Sequence, residues 1–222
     1  MRATASIALL FLLTACNDTP APAEAPSDKT AAKTPTADAA AKKAAPSCTW
    51  TADHSAASVG WTAFKFTEKT GVGGAFDTLT VAGGQGMDAP WKALDGLTFE
   101  IDTASVNSKN PERDAKIKQH FFGGMSDTAT IKGKVKASSA GKATLSIAMN
   151  GATHNVVVDV KHTEGGPLSL SGTIDVETWD GGGAIAALNK VCDELHKGAD
   201  GVSKLWSEVA ISAEVPLKKT CG

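Results

Sequence analysis

From Cys48 onward apolar side chains recur at every second position, in short runs that end on turn residues. Val59, Trp61 and Ala63 alternate with small or polar neighbours, as do Leu97, Phe99 and Ile101, then Ile131 and Val135 across Gly133. Leu145, Ile147 and Met149 run into Asn150-Gly151, the residue pair best suited to a two-residue hairpin turn. Val156, Val158 and Val160 follow, then Leu168, Leu170, Ile174 and Val176, and finally Val209, Ile211, Ala213 and Val215. With a strand around Val72 to Val81 the count reaches about eight. Each such strand has one apolar face, and consecutive antiparallel strands bury it only by closing or stacking. The chain is therefore predicted to be all-β, a barrel or a sandwich. Phe64 and Phe66 continue the first run on the opposite parity, which predicts a bulge there.

Two helices interrupt the alternation. Asn110 caps and Pro111 opens a segment through Phe122, with Ile117 and Phe121 four apart. A second is predicted from about Ala184 to Lys197, with Ile185, Leu188, Cys192 and Leu195 on one stripe and Gly198 as its stop.

The start of the chain reads differently. Arg2, the apolar stretch Ile7 to Leu13 and Leu13-Thr14-Ala15-Cys16 form a bacterial export signal over residues 1–15. A Cys directly after small residues resembles the lipobox of bacterial lipoproteins, which implies cleavage before Cys16 and acylation of it. Asn17, in place of an Asp, favours the outer over the inner membrane. Residues 17–46 contain 11 Ala, 5 Pro, four acids and four lysines, with no Val, Ile, Leu, Met or aromatic residue. Nothing there offsets the entropy of ordering, so residues 16–46 read as a lipidated Cys followed by a disordered tether. The folded domain is then 47–222.

Composition excludes several classes of function. With 22 basic and 24 acidic residues, for a net charge of -2, the chain has no electrostatic footprint for nucleic acid. His54, His120, His154, His162 and His196 show no metal-ligand spacing, and neither metal nor cofactor is expected. No G-x-S-x-G is present, and Gly71 to Gly74 lacks the Lys-Ser/Thr of a phosphate loop, so catalysis is not expected.

Asp53-His54-Ser55 with Val59 and Trp61, Gly71 to Phe76, and Ile101 to Val106 followed by Asn110 to Asp114 and Phe121-Phe122 together resemble one family, the YceI-like proteins, exported bacterial proteins with a lipocalin-like barrel. Asp53-His54-Ser55 with Val59 and Trp61 is similar to the family's opening strand. Gly71-Val72-Gly73-Gly74-Ala75-Phe76 is similar to its V-x-G-x-F turn. Ile101-Asp102-Thr103-Ala104-Ser105-Val106, Asn110 to Asp114 and Phe121-Phe122 match its I-D-x-x-S-V … R-D … F-F signature. The chain departs from the pattern at Lys116-Ile117, at Asn150 to His154, and in the insert Gly181 to Ser207. The resemblance implies an eight-stranded antiparallel lipocalin-like barrel with two short helices. It also implies a long-chain amphiphile inside: a polyisoprenoid, an isoprenoid quinone or a fatty acid derivative.

Inward parity then puts Trp61, Phe99, Ile147 and Val158 on the tunnel wall. Val59, Phe64, Phe76, Phe121 and Ile174 complete the candidate cavity. Arg113 is the candidate for a phosphate or carbonyl head group, against the alternative of an ion pair with Asp102, Glu112 or Asp114. Small residues at strand positions (Gly60, Ala63, Gly133, Ala137, Ala148, Gly172) either leave the interior under-filled or fit the taper of a small barrel. In the second case the protein is a structural or regulatory envelope module that binds a protein partner. Three cysteines follow Cys16, and three pairings are possible. First and last strands neighbour each other in an antiparallel barrel, so Cys48 and Cys221 are the expected disulfide, with Cys192 free.

Overall fold

The computed structural model describes residues 47–222; the export signal, Cys16 and the tether lie outside the described residues. In chain order the strands are β1 (Cys48–Ala52), β2 (Ser58–Lys65), β3 (Thr70–Phe76), β4 (Leu79–Ala82), β5 (Thr98–Asp102) and β6 (Val106–Asn107). There follow β7 (Thr130–Ser139), β8 (Lys142–Met149), β9 (Ala152–His162), β10 (Leu168–Asp175), β11 (Leu205–Val215) and β12 (Leu217–Cys221). All pairings are antiparallel. A ten-stranded sheet has the order β4-β5-β7-β8-β9-β10-β11-β2-β3-β6, and β1 with β12 forms a separate two-stranded ribbon.

The sheet curls until its ends meet. β3 runs into β4 through Asp77 and Thr78, and β5 into β6 through the turn Thr103–Ser105. β4 pairs with β5 while β3 pairs with β6, so the same two stretches of chain stand at both ends of the strand order. Across the junction the Asp77 N–H donates to the Ser105 carbonyl at 3.0 Å and the Asp102 N–H to the Thr78 carbonyl at 3.2 Å.

Every alternating run holds a strand, with Leu97 and Val176 just beyond the ends of theirs, but the count of eight becomes twelve among the described residues. The run from Val72 to Val81 is two strands with different partners. β6 is two residues long, too short to alternate, and β1 and β12 are cut off from their neighbours. Pro216 has no N–H to give the ladder and separates β12 from β11, while its carbonyl accepts from the Asp53 N–H at 2.7 Å. The predicted bulge also moves. β2 stays regular to Lys65, Phe66 turns left-handed (φ 62), and the register shift falls on β11 between Leu205 and Val209. Asn150 and Gly151 have positive φ (49 and 72), as a tight hairpin turn requires, and Met149 pairs with Ala152.

The ribbon carries the disulfide. Cys48 is paired with Cys221 in register, and their sulfurs are bonded. The bridge spans 173 residues, which in the chain-entropy model is worth about 4–5 kcal/mol. Cys192 is free and buried.

Helix α1 (Pro111–Lys116) begins as predicted, with Asn110 Oδ1 accepting from the Arg113 N–H at 3.0 Å. It then widens to a π turn at Ile117–Phe121 and tightens at Phe122–Gly124. The second predicted helix is broken into α2 (Gly182–Val191) and α3 (Asp193–His196). Cys192, at φ -115 and ψ 19, leaves helical geometry, so the stripe changes direction and Leu195 is 59% exposed. Lys197 already has extended backbone, so Gly198 is not the stop.

The core concentrates on one wall. Val135, Leu145, Ile147, Met149, Val158, Leu168 and Leu170 are buried together with Trp179. Trp179, which the alternation does not single out, is the largest fully buried side chain, and its Nε1–H donates to the Ile147 carbonyl at 3.1 Å.

Candidate functional site

Inside the curled sheet lie two apolar spaces with a shared wall of Val59, Phe99, Ile101, Leu145 and Ile211. The larger has an empty volume of about 1070 Å³, counting the open space at its mouth. It runs toward α1 and α2, where Ile117, Phe121, Ile185 and Leu188 cap it. The smaller, about 660 Å³ on the same measure, runs the other way to Leu79, Leu94, Leu97 and Val215. Both walls are almost wholly apolar; Ser58, Thr98, Ser171 and Ser212 border the smaller space but have the opposite parity to the inward Val59, Phe99, Leu170 and Ile211. Such a lumen has little to offer a polar molecule and much to offer a hydrocarbon chain.

The candidate residues distribute as follows. Trp61, Phe76, Phe121, Ile147 and Ile174 line the larger space, Val158 the smaller, and Val59 and Phe99 both. Phe64 is the exception to the lumen. It has the opposite parity to Trp61 and lines a third space outside the sheet, together with Arg113. That outer space shares Trp61, Ala63, Ile117, Leu188 and Leu205 with the larger one, so it continues the lumen past the helices.

Glycine does not leave this lumen under-filled. A Cβ on Gly133 would lie 2.3 Å from the Phe99 ring, and one on Gly74 would lie 2.3 Å from the Trp61 ring. On Gly172 it would meet Val158 at 2.7 Å. These positions are vacated so that a neighbour's side chain can lie flat against the sheet. The room comes from elsewhere, on the β2 and β11 side. Val59, Trp61, Ala63, Val209 and Ile211 are only half-buried, because their inward faces border space and not side chains.

Several lining residues carry no period-two signal. Leu205 and Trp206 are adjacent yet both line the larger space, because the register shift on β11 turns them to one side. The Trp206 Nε1–H is tied to the Phe66 carbonyl at 2.7 Å. Ile117 and Leu188 could be found only as the inner members of their helical stripes.

Arg113 is half-buried at the outer space, and among the described residues none of its suggested carboxylate partners engages it. Asp114 is buried and accepts from the Ser108 N–H at 2.9 Å and from its hydroxyl at 2.6 Å. Asp102 accepts from the Ala104 N–H. Among the described residues, no three His, Cys, Asp or Glu side chains gather into a metal-holding group, and no helix is long and apolar enough to cross a membrane.

An antiparallel sheet curled around an apolar lumen and capped by helices defines a lipocalin-like β protein. The YceI-like domain family matches residues 50–218, and the chain belongs to that family. Among solved structures it is similar to a polyisoprenoid binding domain from Saccharophagus degradans implicated in plant cell wall breakdown. The two are 12% identical with a TM-score of 0.53, over 80% of this chain and 100% of that one. It is also similar to BcnA of Burkholderia cenocepacia, at 14% identity and a TM-score of 0.50, over 75% of this chain and 99% of that one. At these identities the likeness concerns the fold. No curated protein matches.

Proposed function

We propose that this protein is a binder, not an enzyme, and that it encloses a long-chain apolar amphiphile in the sheet lumen for carriage or storage. The chain is a polyisoprenoid, an isoprenoid quinone or a fatty acid derivative. The observation that carries the reading is the lumen itself, apolar along its length and unfilled on the β2 and β11 side. Each methylene taken from water into such a space gains roughly 0.8 kcal/mol, so affinity grows with chain length and needs few polar groups. The Saccharophagus degradans relative, described as polyisoprenoid binding, supports the same class of ligand. Acylation of Cys16 would hold the domain at the bacterial outer membrane, facing the periplasm, on the tether of residues 17–46.

Native mass spectrometry of the purified protein, followed by organic extraction, tests the ligand. A copurifying apolar molecule is expected. A lumen that stays empty and takes up no long-chain lipid would favour a structural module with a protein partner. Anchoring is tested separately by Cys16→Ser, which should abolish palmitate labelling and release the protein from the membrane fraction.

A further inference from the structure

We infer that the outer space at the helical end is an anion site, which takes a carboxylate or phosphate head on the chain that fills the lumen. The inference rests on the proposed lipid-binding role and adds the charge of the ligand's head. Three cations meet at this space from two separate segments: Lys65 at the end of β2, and Arg113 and Lys116 on α1. All three are half-buried against a wall that includes Trp61, Phe64, Leu188 and Leu205. The carboxylate of Glu112 also lines it. None of the ion pairs among the described residues involves Lys65, Arg113 or Lys116.

The ammonium of Lys65 is held in place from one side. It donates to the Leu195 carbonyl at 2.9 Å and lies 4.4 Å from the centre of the Phe66 ring, which leaves further N–H donors free. No side-chain hydrogen bond among the described residues uses the Arg113 guanidinium, so its planar donor fork is unspent. His196 from α3 also borders the space, with Nδ1 2.8 Å from Asn189 Oδ1. Burial first, and then the charges of Lys65 and Lys116, push its pKa down, against an opposing pull from Asp193. The fields of the two lysines therefore converge on the ring.

Partly desolvated like charges beside an apolar wall are costly, and a bound anion offsets both the desolvation and the repulsion. A quinone or an alcohol would leave the excess of the three cations over the single Glu112 carboxylate without a counter-ion. The shared residues Trp61, Ala63, Ile117, Leu188 and Leu205 place a head bound here directly above the lumen that holds its chain. α3 and the end of α2 belong to the insert Gly181–Ser207, so one side of this space is built by the segment that departs from the family pattern.

The test compares dodecanoate, dodecyl phosphate and dodecanol, three ligands with one chain, on the purified full chain stripped of lipid. Binding is read by tryptophan fluorescence at neutral pH and low salt. At least one of the two acids should bind roughly tenfold tighter than dodecanol, the factor supplied by one modest charge-assisted hydrogen bond. The tighter acid identifies the head as carboxylate or phosphate, and added salt should narrow its advantage. Arg113→Gln should shrink the gap between acid and alcohol at least severalfold, and Lys65→Met provides a second, independent variant. Dodecanol binding as tightly as both acids would overturn the anion site while leaving the lipid-binding role intact. Inorganic phosphate binding as tightly as dodecyl phosphate would also overturn it, making this a site for free anions. Failure of all three ligands to bind would instead remove the lipid-binding role, and the head-group site with it.

Discussion

β2 and β8 are each eight residues long, and each places apolar residues at every second position. They end in different states. β8 buries Ala143, Leu145, Ile147 and Met149 to 9% exposure or less. No residue of β2 is fully buried, and Val59, Trp61 and Ala63 stay half-open. Alternation decides which side chains point inward but not what they find there. Around β8 stand Val135, Val158 and the Trp179 indole, and these bury its inward residues even though Leu145, Ile147 and Met149 also border the lumen. Opposite β2 stands the lumen. One wall thus stabilises the fold, and the other leaves room for a ligand.

Truncating one large aromatic on each wall should separate the two roles most strongly. Trp179→Ala removes a side chain that is 1% exposed and hydrogen-bonded to the Ile147 carbonyl, so it should cost about 3–5 kcal/mol in urea denaturation. Trp61→Ala should cost less than half as much, because the Trp61 ring borders open space on one side. Equal losses would erase the distinction between the walls.

Adding volume should show the same contrast with a smaller effect. Ala143→Leu, at a fully buried β8 position that borders neither inner space, should overpack the filled wall and destabilise by about 1–3 kcal/mol. Val59→Trp places its ring where both inner spaces meet, so copurified lipid should fall sharply while the melting temperature moves little. A large stability loss in Val59→Trp with unchanged lipid would mean that the lumen is closed in solution.

The smallest expected effect is in pH dependence. His196 has its pKa lowered in the folded state, chiefly by burial, so the unfolded chain binds a proton more readily. Stability should be complete above the ordinary histidine value of about 6.5, decline as pH falls through that value, and level off below the folded pKa. His196→Gln should flatten this part of a pH series of denaturation midpoints. An unchanged slope would assign it to other groups.

The strands were legible because a period of two needs no tertiary information, and the Asn150-Gly151 turn and the Asn110 cap are local for the same reason. The Cys48 and Cys221 pairing followed from the barrel's chain order. Elements whose form depends on remote partners were not legible. The division of Val72–Val81 into β3 and β4 appears only when each half finds a different partner strand. Trp179 sits in no alternating run, and its burial depends on the β8–β9 hairpin folding over it. Its neighbours in sequence place Phe64 in the lumen, but its parity and the regularity of β2 put it outside.

The sequence alone therefore determined the class of fold, the inward residues of most strands and the helix start, each a matter of backbone preference and side-chain period within a few positions. Only the tertiary structure decided that Gly133 and Gly74 accommodate rings and do not create empty volume. It also decided that α2 breaks at Cys192 and that Lys65 meets Arg113 and Lys116 at one mouth. Those outcomes depend on distances between side chains far apart in the chain, which are set once the sheet has curled and the helices have docked on its end.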